Sequence, residues 1–195
     1  MKARSLWVIV MAAGLAGGTT VVADTYQIDA QHTTIGFSIK HLVINNVKGQ
    51  FKEFSGTIQV EGQDSATAST KAVIKAASID TGIKMRDDHL RGPEFFDVAK
   101  FADITFVSKR IERNGANYVA IGDLTMHGVT KEIALPFTVS GPIVDPWGKS
   151  RVGVEAGITI NRQDYGINYN KTLDSGGLML GNDVKIEINL EAVKQ

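Results

Sequence analysis

The sequence predicts an all-β fold of about eight antiparallel strands. Three observations predict it: apolar and polar residues alternate with period two in one segment after another, turn-forming residues punctuate those segments, and no long amphipathic helix competes with them.

The chain opens on a leader pattern. Lys2 and Arg4 form a positive n-region, Leu6 to Ala16 a short apolar run, and Val21-Val22-Ala23 a cleavage-type ending. Residues 1–23 are therefore expected to be a signal peptide, with a mature chain of residues 24–195 forming one exported domain. The apolar run falls short of the roughly 20 residues needed to span a bilayer, so no integral membrane span is expected.

The strand signals follow in order. Ile35, Phe37 and Ile39 alternate with Thr34, Gly36, Ser38 and Lys40. Segments Ser55–Val60, Lys71–Ile79, Ile104–Ile111 and Tyr118–Met126 come next. Val129, Ile133, Leu135, Phe137 and Val139 then alternate with only Lys131 out of pattern, followed by Val152, Val154, Ala156, Ile158 and Ile160, and by Val184, Ile186, Ile188 and Leu190. Breaks separate these runs at Glu61-Gly62, Asn114-Gly115, His127-Gly128 and the type I turn candidate Asp145-Pro146-Trp147-Gly148, with a flexible turn at Gly176–Gly181. Ile83–Arg91 and Pro93–Ala99 are the two places where a helical turn or two fits. Strands of this number close as an up-and-down barrel or stack as a sandwich, and periodicity alone does not choose. Small residues at Gly36, Ala72, Ala76, Gly122, Ala156 and Gly157 would leave room inside a barrel that larger side chains would fill.

Composition narrows the function. Lys plus Arg and Asp plus Glu are both 21, so there is no general attraction to nucleic acid. Without cysteine the chain has no disulfide framework, thiol nucleophile or lipid-attachment cysteine. No Gly-x-Ser-x-Gly, His-Glu-x-x-His or Gly-x-Gly-x-x-Gly occurs, and no catalytic residue or cofactor is assigned. The histidines His32, His41, His89 and His127 show no ligand spacing, and no metal is assigned. Asp87 and Asp88, adjacent on a helical turn, diverge by about 100° and do not form an acid–base pair. Lys84–Asp88 and Asp87–Arg91 have the spacing of i,i+4 ion pairs.

Four motifs carry a resemblance. They are the charged stretch from Asp80 to Phe106, Tyr26-Gln-Ile-Asp-Ala-Gln-His-Thr, Gly122-Asp-Leu-Thr-Met-His-Gly-Val-Thr-Lys, and Ile160-Asn-Arg-Gln-Asp-Tyr-Gly-Ile. In this order they resemble the YceI-like family of polyisoprenoid-binding proteins of the bacterial envelope, with Ala102 standing where the family usually has proline. The resemblance implies a lipocalin-like, eight-stranded antiparallel barrel with a short helical insertion across one end or flank, and a periplasmic location. It also implies a carrier role for a long-chain isoprenoid-type amphiphile, a polyprenyl phosphate or an isoprenoid quinone.

Such a ligand needs a dry tube for its tail and a few donors for its head. Arg86, His89 and Arg91 are the densest donor set outside the strands, and Arg162, Asn168 and Tyr169, in and beside the last motif, are the next head-group candidates. Phe37, Phe106, Leu124, Phe137 and Ile158 are the expected cavity lining, and plain core is an equal reading of them. The rival readings are a barrel enzyme acting on an amphiphilic lipid and a ligand-free envelope stress protein. A homodimer is left open.

Overall fold

The computed structural model describes residues 23–62, 64–172 and 178–195. Nearly all of the expected leader, and the start of the Gly176–Gly181 turn, lie outside the described residues.

Alternating apolar residues can bury only one face of each strand, and a closed sheet buries all those faces together without leaving an edge. Eleven strand segments make eight staves here. The first consists of β1 (Asp24–Ile28) and β2 (Thr34–His41), and the second of β3 (Asn45–Phe51) and β4 (Phe54–Val60). β3 pairs with β2, and β4 pairs with β1. The third is β5 (Ser69–Lys75) and β6 (Ile79–Asp80), followed by β7 (Asp103–Asn114), β8 (Asn117–Met126), β9 (Val129–Val144), β10 (Ser150–Asn161) and β11 (Leu180–Lys194). Every pairing is antiparallel between staves adjacent in sequence, except the one that closes the ring. There β11 pairs with the first stave, Ile28 opposite Ala192 and Phe37 opposite Ile186. That closure decides barrel over sandwich.

Three local expectations are corrected. β1 and β3 extend the first two staves beyond the alternating runs. β3 has only Val47 and Phe51 as large apolar residues, because a side chain at Gly49 between them would meet the Phe37 ring at 2.4 Å. The expected strand Lys71–Ile79 breaks at a 3₁₀ turn, Ala76–Ser78, where the stave passes from β4 to β3 as its neighbour. Pro93–Ala99 forms successive turns, since Asp97 takes a left-handed φ of 44° and its carbonyl accepts from the Lys100 and Phe101 amides.

Other turn signals hold. Gly115 is the only residue of the β7–β8 turn at positive φ, while Asn114 remains in the strand. The Gly148 amide donates to the Asp145 carbonyl at 2.9 Å across the β9–β10 turn. Ala102, at the family's usual proline position, accepts the Ala76 amide at 2.9 Å.

The insertion between β6 and β7 begins with the helix α1 (Lys84–Arg91) and closes part of one end of the barrel. Phe95 from this insertion, Tyr165 and Ile167 from the segment after β10, and Ile104, Leu124, Met126 and Ile160 from the strands form the buried cluster there. Hydrocarbon removed from water stabilises this plug at roughly 25 cal/mol per Å².

Candidate functional site

The residues of the inward faces do not fill the barrel. A cavity of about 1050 Å³ runs from Asp24, Val60 and Lys194 at the far end to His41, Val47 and Arg86 at the helix end. All five expected lining residues, Phe37, Phe106, Leu124, Phe137 and Ile158, border it. So do Gly36, Ala72 and Ala156 among the small residues. The other three do not. Ala76 is buried in the plug, and Gly157 faces outward. At Gly122 a Cβ would meet the Phe106 ring at 2.8 Å and the Val107 carbonyl at 2.5 Å, so its vacant volume is already taken by that aromatic ring and the bulged neighbouring strand.

The six head-group candidates separate into two groups. Arg86, His89, Arg162 and Tyr169 border the cavity at the helix end, whereas Arg91 and Asn168 do not. Arg86 sits two residues from the N-terminus of α1, where Nε donates to the Thr81 hydroxyl at 2.7 Å and Nη2 to the Thr81 carbonyl at 2.8 Å. Thr81 is in turn held by Asp87, whose buried carboxylate accepts the Thr81 amide at 2.9 Å. This corrects the expected Asp87–Arg91 pair: Asp87 turns inward to cap the loop, and Arg91 meets Asp88 at 3.0 Å instead. The Lys84–Asp88 pair forms as expected. The remaining Arg91 donors bind the carbonyls of Ala77 and Ile79 at 2.6 and 2.7 Å, so this guanidinium ties the helix to the third stave.

His89 stacks edge-on against Phe95 and Tyr169, with centroids 5.0 and 5.2 Å away, and its Nε2 lies 2.7 Å from Glu94. Phe95 and Tyr169 are themselves 4.8 Å apart. These three rings make an amphipathic wall at the cavity mouth.

Arg162 is the deepest cation. It is 4% exposed, and no carboxylate pairs with it among the described residues. Its Nε donates to the Gly181 carbonyl at 2.9 Å and Nη1 to the Ile167 carbonyl at 2.7 Å, with Nη2 3.4 Å from the Asn182 amide oxygen. Burial pushes its pKa down from the usual arginine range, because desolvation penalises the charged form. A guanidinium has five N–H donors, so donors remain beyond these three contacts. Asn161 caps the 3₁₀ turn at Arg162–Tyr165 through the Gln163 amide, and Gly166 ends it at φ 76°, which fixes where the arginine starts.

A second polar cluster lies outside the barrel. Arg151 donates to Asp145 at 2.6 Å, Asp29 at 2.9 Å and Glu191 at 2.5 Å, and His32 lies 2.8 Å from Asp29. Asp29, His32 and Glu191 converge closely enough to hold a cation. Arg151 already supplies positive charge to both of those carboxylates, and the cluster reads as an ion-pair clasp joining β1, β10 and β11. Sequence reasoning missed this clasp because its members are far apart in the chain.

A closed up-and-down barrel of eight staves around one apolar cavity, with a few donors gathered at one end, defines a lipocalin-like β-barrel. The YceI-like domain family matches residues 26–192, and the chain belongs to that family. It is 38% identical over 167 residues to a UPF0312 protein of Staphylococcus aureus, covering 85% of this chain and 95% of that one. Among solved structures it is similar to the YceI protein of Campylobacter jejuni, at 31% identity and a TM-score of 0.69, covering 80% of this chain and 90% of the other. A polyisoprenoid binding domain from Saccharophagus degradans, implicated in plant cell wall breakdown, shares the fold at a TM-score of 0.66 and 18% identity, covering 87% and 98% of the two chains.

Proposed function

We propose that this protein is a periplasmic binding or carrier protein that sequesters a long-chain isoprenoid-type amphiphile in its barrel. The observation that carries the reading is the cavity itself. At about 1050 Å³ it lies at the top of the range of about 300–1,000 Å³ common for small-molecule sites. It is also elongated, with lining residues at both ends of the barrel and apolar side chains between. A branched hydrocarbon tail loses its contact with water along that whole length, and this burial drives binding without any covalent step. The polyisoprenoid binding domain with this fold supports the isoprenoid class of ligand.

The head group would sit at the helix end, beside Arg86, His89 and Tyr169 and within reach of Arg162. Arg162 favours an anionic head, because an anion offsets the cost of keeping a guanidinium out of water without a carboxylate partner. The buried carboxylates Asp87, Asp97 and Asp145 lie off the cavity lining, which favours binding over acid–base chemistry. The open volume along the axis favours a ligand over a barrel packed with its own side chains.

Mass spectrometry of an organic extract of the purified protein tests this reading. An isoprenoid lipid in stoichiometric amount is the expected result. Absence of any lipid, together with failure to take up an added polyprenyl phosphate from detergent micelles, would overturn it. For the compartment, N-terminal sequencing of the mature protein should begin at Asp24, and retention of Met1 would remove the basis for export.

A further inference from the structure

The β2–β3 hairpin exposes three consecutive apolar residues at its tip. Leu42, Val43 and Ile44 are 36, 65 and 82% exposed, where a turn ordinarily carries polar residues. Leu42 and Val43 also hold left-handed φ values of 50° and 65°, a conformation that disfavours a branched side chain such as valine. The tip is nonetheless fastened. The Leu42 amide donates to the Met179 carbonyl at 2.8 Å, and the Ile44 amide to the His41 carbonyl at 3.2 Å. His41 and Met179 both border the cavity, so the tip stands directly beside its mouth. Leu178 next to Met179, and Ile83 and Met85 at the start of α1, add exposed apolar surface at the same end.

The hairpin's own charge has one sign, while the neighbouring elements carry Glu187, whose carboxyl is held down chiefly by Lys185 and in part by Lys48, and Asp88, which pairs with Lys84. From Lys40 to Lys48 the hairpin contains two lysines and no acidic residue. Lys40, Lys48 and Lys171 form no ion pair among the described residues. The opposite end differs in degree: the β9–β10 tip exposes Ile143, Val144 and Trp147, but Arg151 beside it is taken up by three carboxylates, which leaves Lys149 as that tip's one cation outside an ion pair among the described residues.

We infer that the β2–β3 tip docks the cavity mouth onto an anionic phospholipid surface, with Val43 and Ile44 entering the acyl boundary and the lysines meeting lipid phosphates. A short apolar wedge flanked by cations suits the interface of a bilayer carrying negative charge. Docking would let a tail pass between bilayer and barrel without crossing water, so the inference rests on the lipid-carrier reading and names the surface it works against.

The test is sedimentation of the purified protein with two vesicle preparations: equal parts phosphatidylglycerol and phosphatidylethanolamine, and pure phosphatidylcholine. The wild type should sediment with the first, less with the second, and less with either as salt is raised. The double variant Val43→Ser, Ile44→Ser should lower the bound fraction about tenfold, as should Lys40→Gln, Lys48→Gln to a smaller extent, while Trp147→Ser should not. Uptake of a fluorescent polyprenyl phosphate from detergent micelles should be unchanged in all three variants. Vesicle binding that the Val43, Ile44 variant retains, or that Trp147→Ser abolishes, would overturn the proposal. So would a wild type that ignores vesicles and forms a dimer which the same variant dissociates, because the tip would then be covered by a second copy. Vesicle binding without uptake from micelles in the wild type would instead count against the carrier reading and leave docking standing.

Discussion

Arg162 donates from Nη1 to the Ile167 carbonyl at 2.7 Å, and this single contact holds a cation against the turn that crosses under the barrel. With Nε on Gly181 it also joins the end of β10 to the start of β11. The residue is thus a strut, and it is also a buried cation bordering the cavity. The two roles separate experimentally.

Arg162→Lys keeps a charge but cannot reproduce a planar fork of donors. It should lower the melting temperature, and should weaken a polyprenyl phosphate about tenfold, or about 1.4 kcal/mol, more than the uncharged polyprenol of equal tail length. Titration of both lipids against wild type and variant checks this. Equal loss for both lipids would assign Arg162 to structure alone.

Arg86 and Arg91 should behave differently although they stand five residues apart on one helix. Arg86→Gln should weaken the phosphate ligand and spare the neutral one, since this side chain borders the cavity. Arg91→Gln should leave ligand preference alone and lower the melting temperature, because it removes donors from the Ala77 and Ile79 carbonyls. Loss of such charged hydrogen bonds costs about 1.5–3 kcal/mol. A parallel thermal melt and ligand titration of both variants decides the matter.

Ala156→Phe should obstruct the tube. Ala156 borders the cavity on β10, between Val154 and Ile158, opposite Ile188 and Phe137 on the neighbouring strands. A phenyl ring there enters open volume, so the melting temperature should hold while lipid affinity falls by about tenfold or more. Gly122→Phe serves as the contrast: a Cβ added there would meet the Val107 carbonyl at 2.5 Å, and this variant should misfold. Unchanged lipid binding by a folded Ala156→Phe would mean that the tail does not reach this depth.

The Arg151 clasp makes stability depend on pH. Asp29 is held down at about 2 from an ordinary value of 3.8, by the His32 hydrogen bond first and by Arg151 and the Gln31 amide as well. Asp145 is also lowered, chiefly by Arg151. A carboxyl depressed in the folded state contributes stability that is fully present above its unfolded pKa and is lost as pH falls through its folded pKa. The melting temperature should therefore fall between about pH 4 and pH 2, and Asp29→Asn should be less stable at neutral pH yet lose less over that interval. Melts of both proteins across the acid range provide the check. Parallel curves would mean that Asp29 does not carry the dependence.

Alternation by itself determined a good deal of this protein. Ile35, Phe37 and Ile39, or Val184, Ile186, Ile188 and Leu190, commit their strands because a period of two puts every apolar side chain on one face. Eight such runs therefore correspond to the eight staves. The inward position of Phe37, Phe106, Leu124, Phe137 and Ile158 was legible for the same reason, with core and lining left as equal readings: the inward face of a barrel strand is the apolar one. Tertiary structure decided what those inward faces enclose. Whether the axis is packed or open depends on ring curvature and on which neighbour fills each gap, as the Phe106 ring fills the space beside Gly122 while the space beside Ala156 stays open. It also decided the division among the donors. Arg86 and Arg91 look equivalent on a helical turn, yet one faces the cavity and the other is spent on the Ala77 and Ile79 carbonyls of the third stave. The same holds for the pairing of Asp29 with Arg151, 122 residues apart in sequence. Local periodicity records which side of the chain meets water, and only the closed ring brings distant sides together.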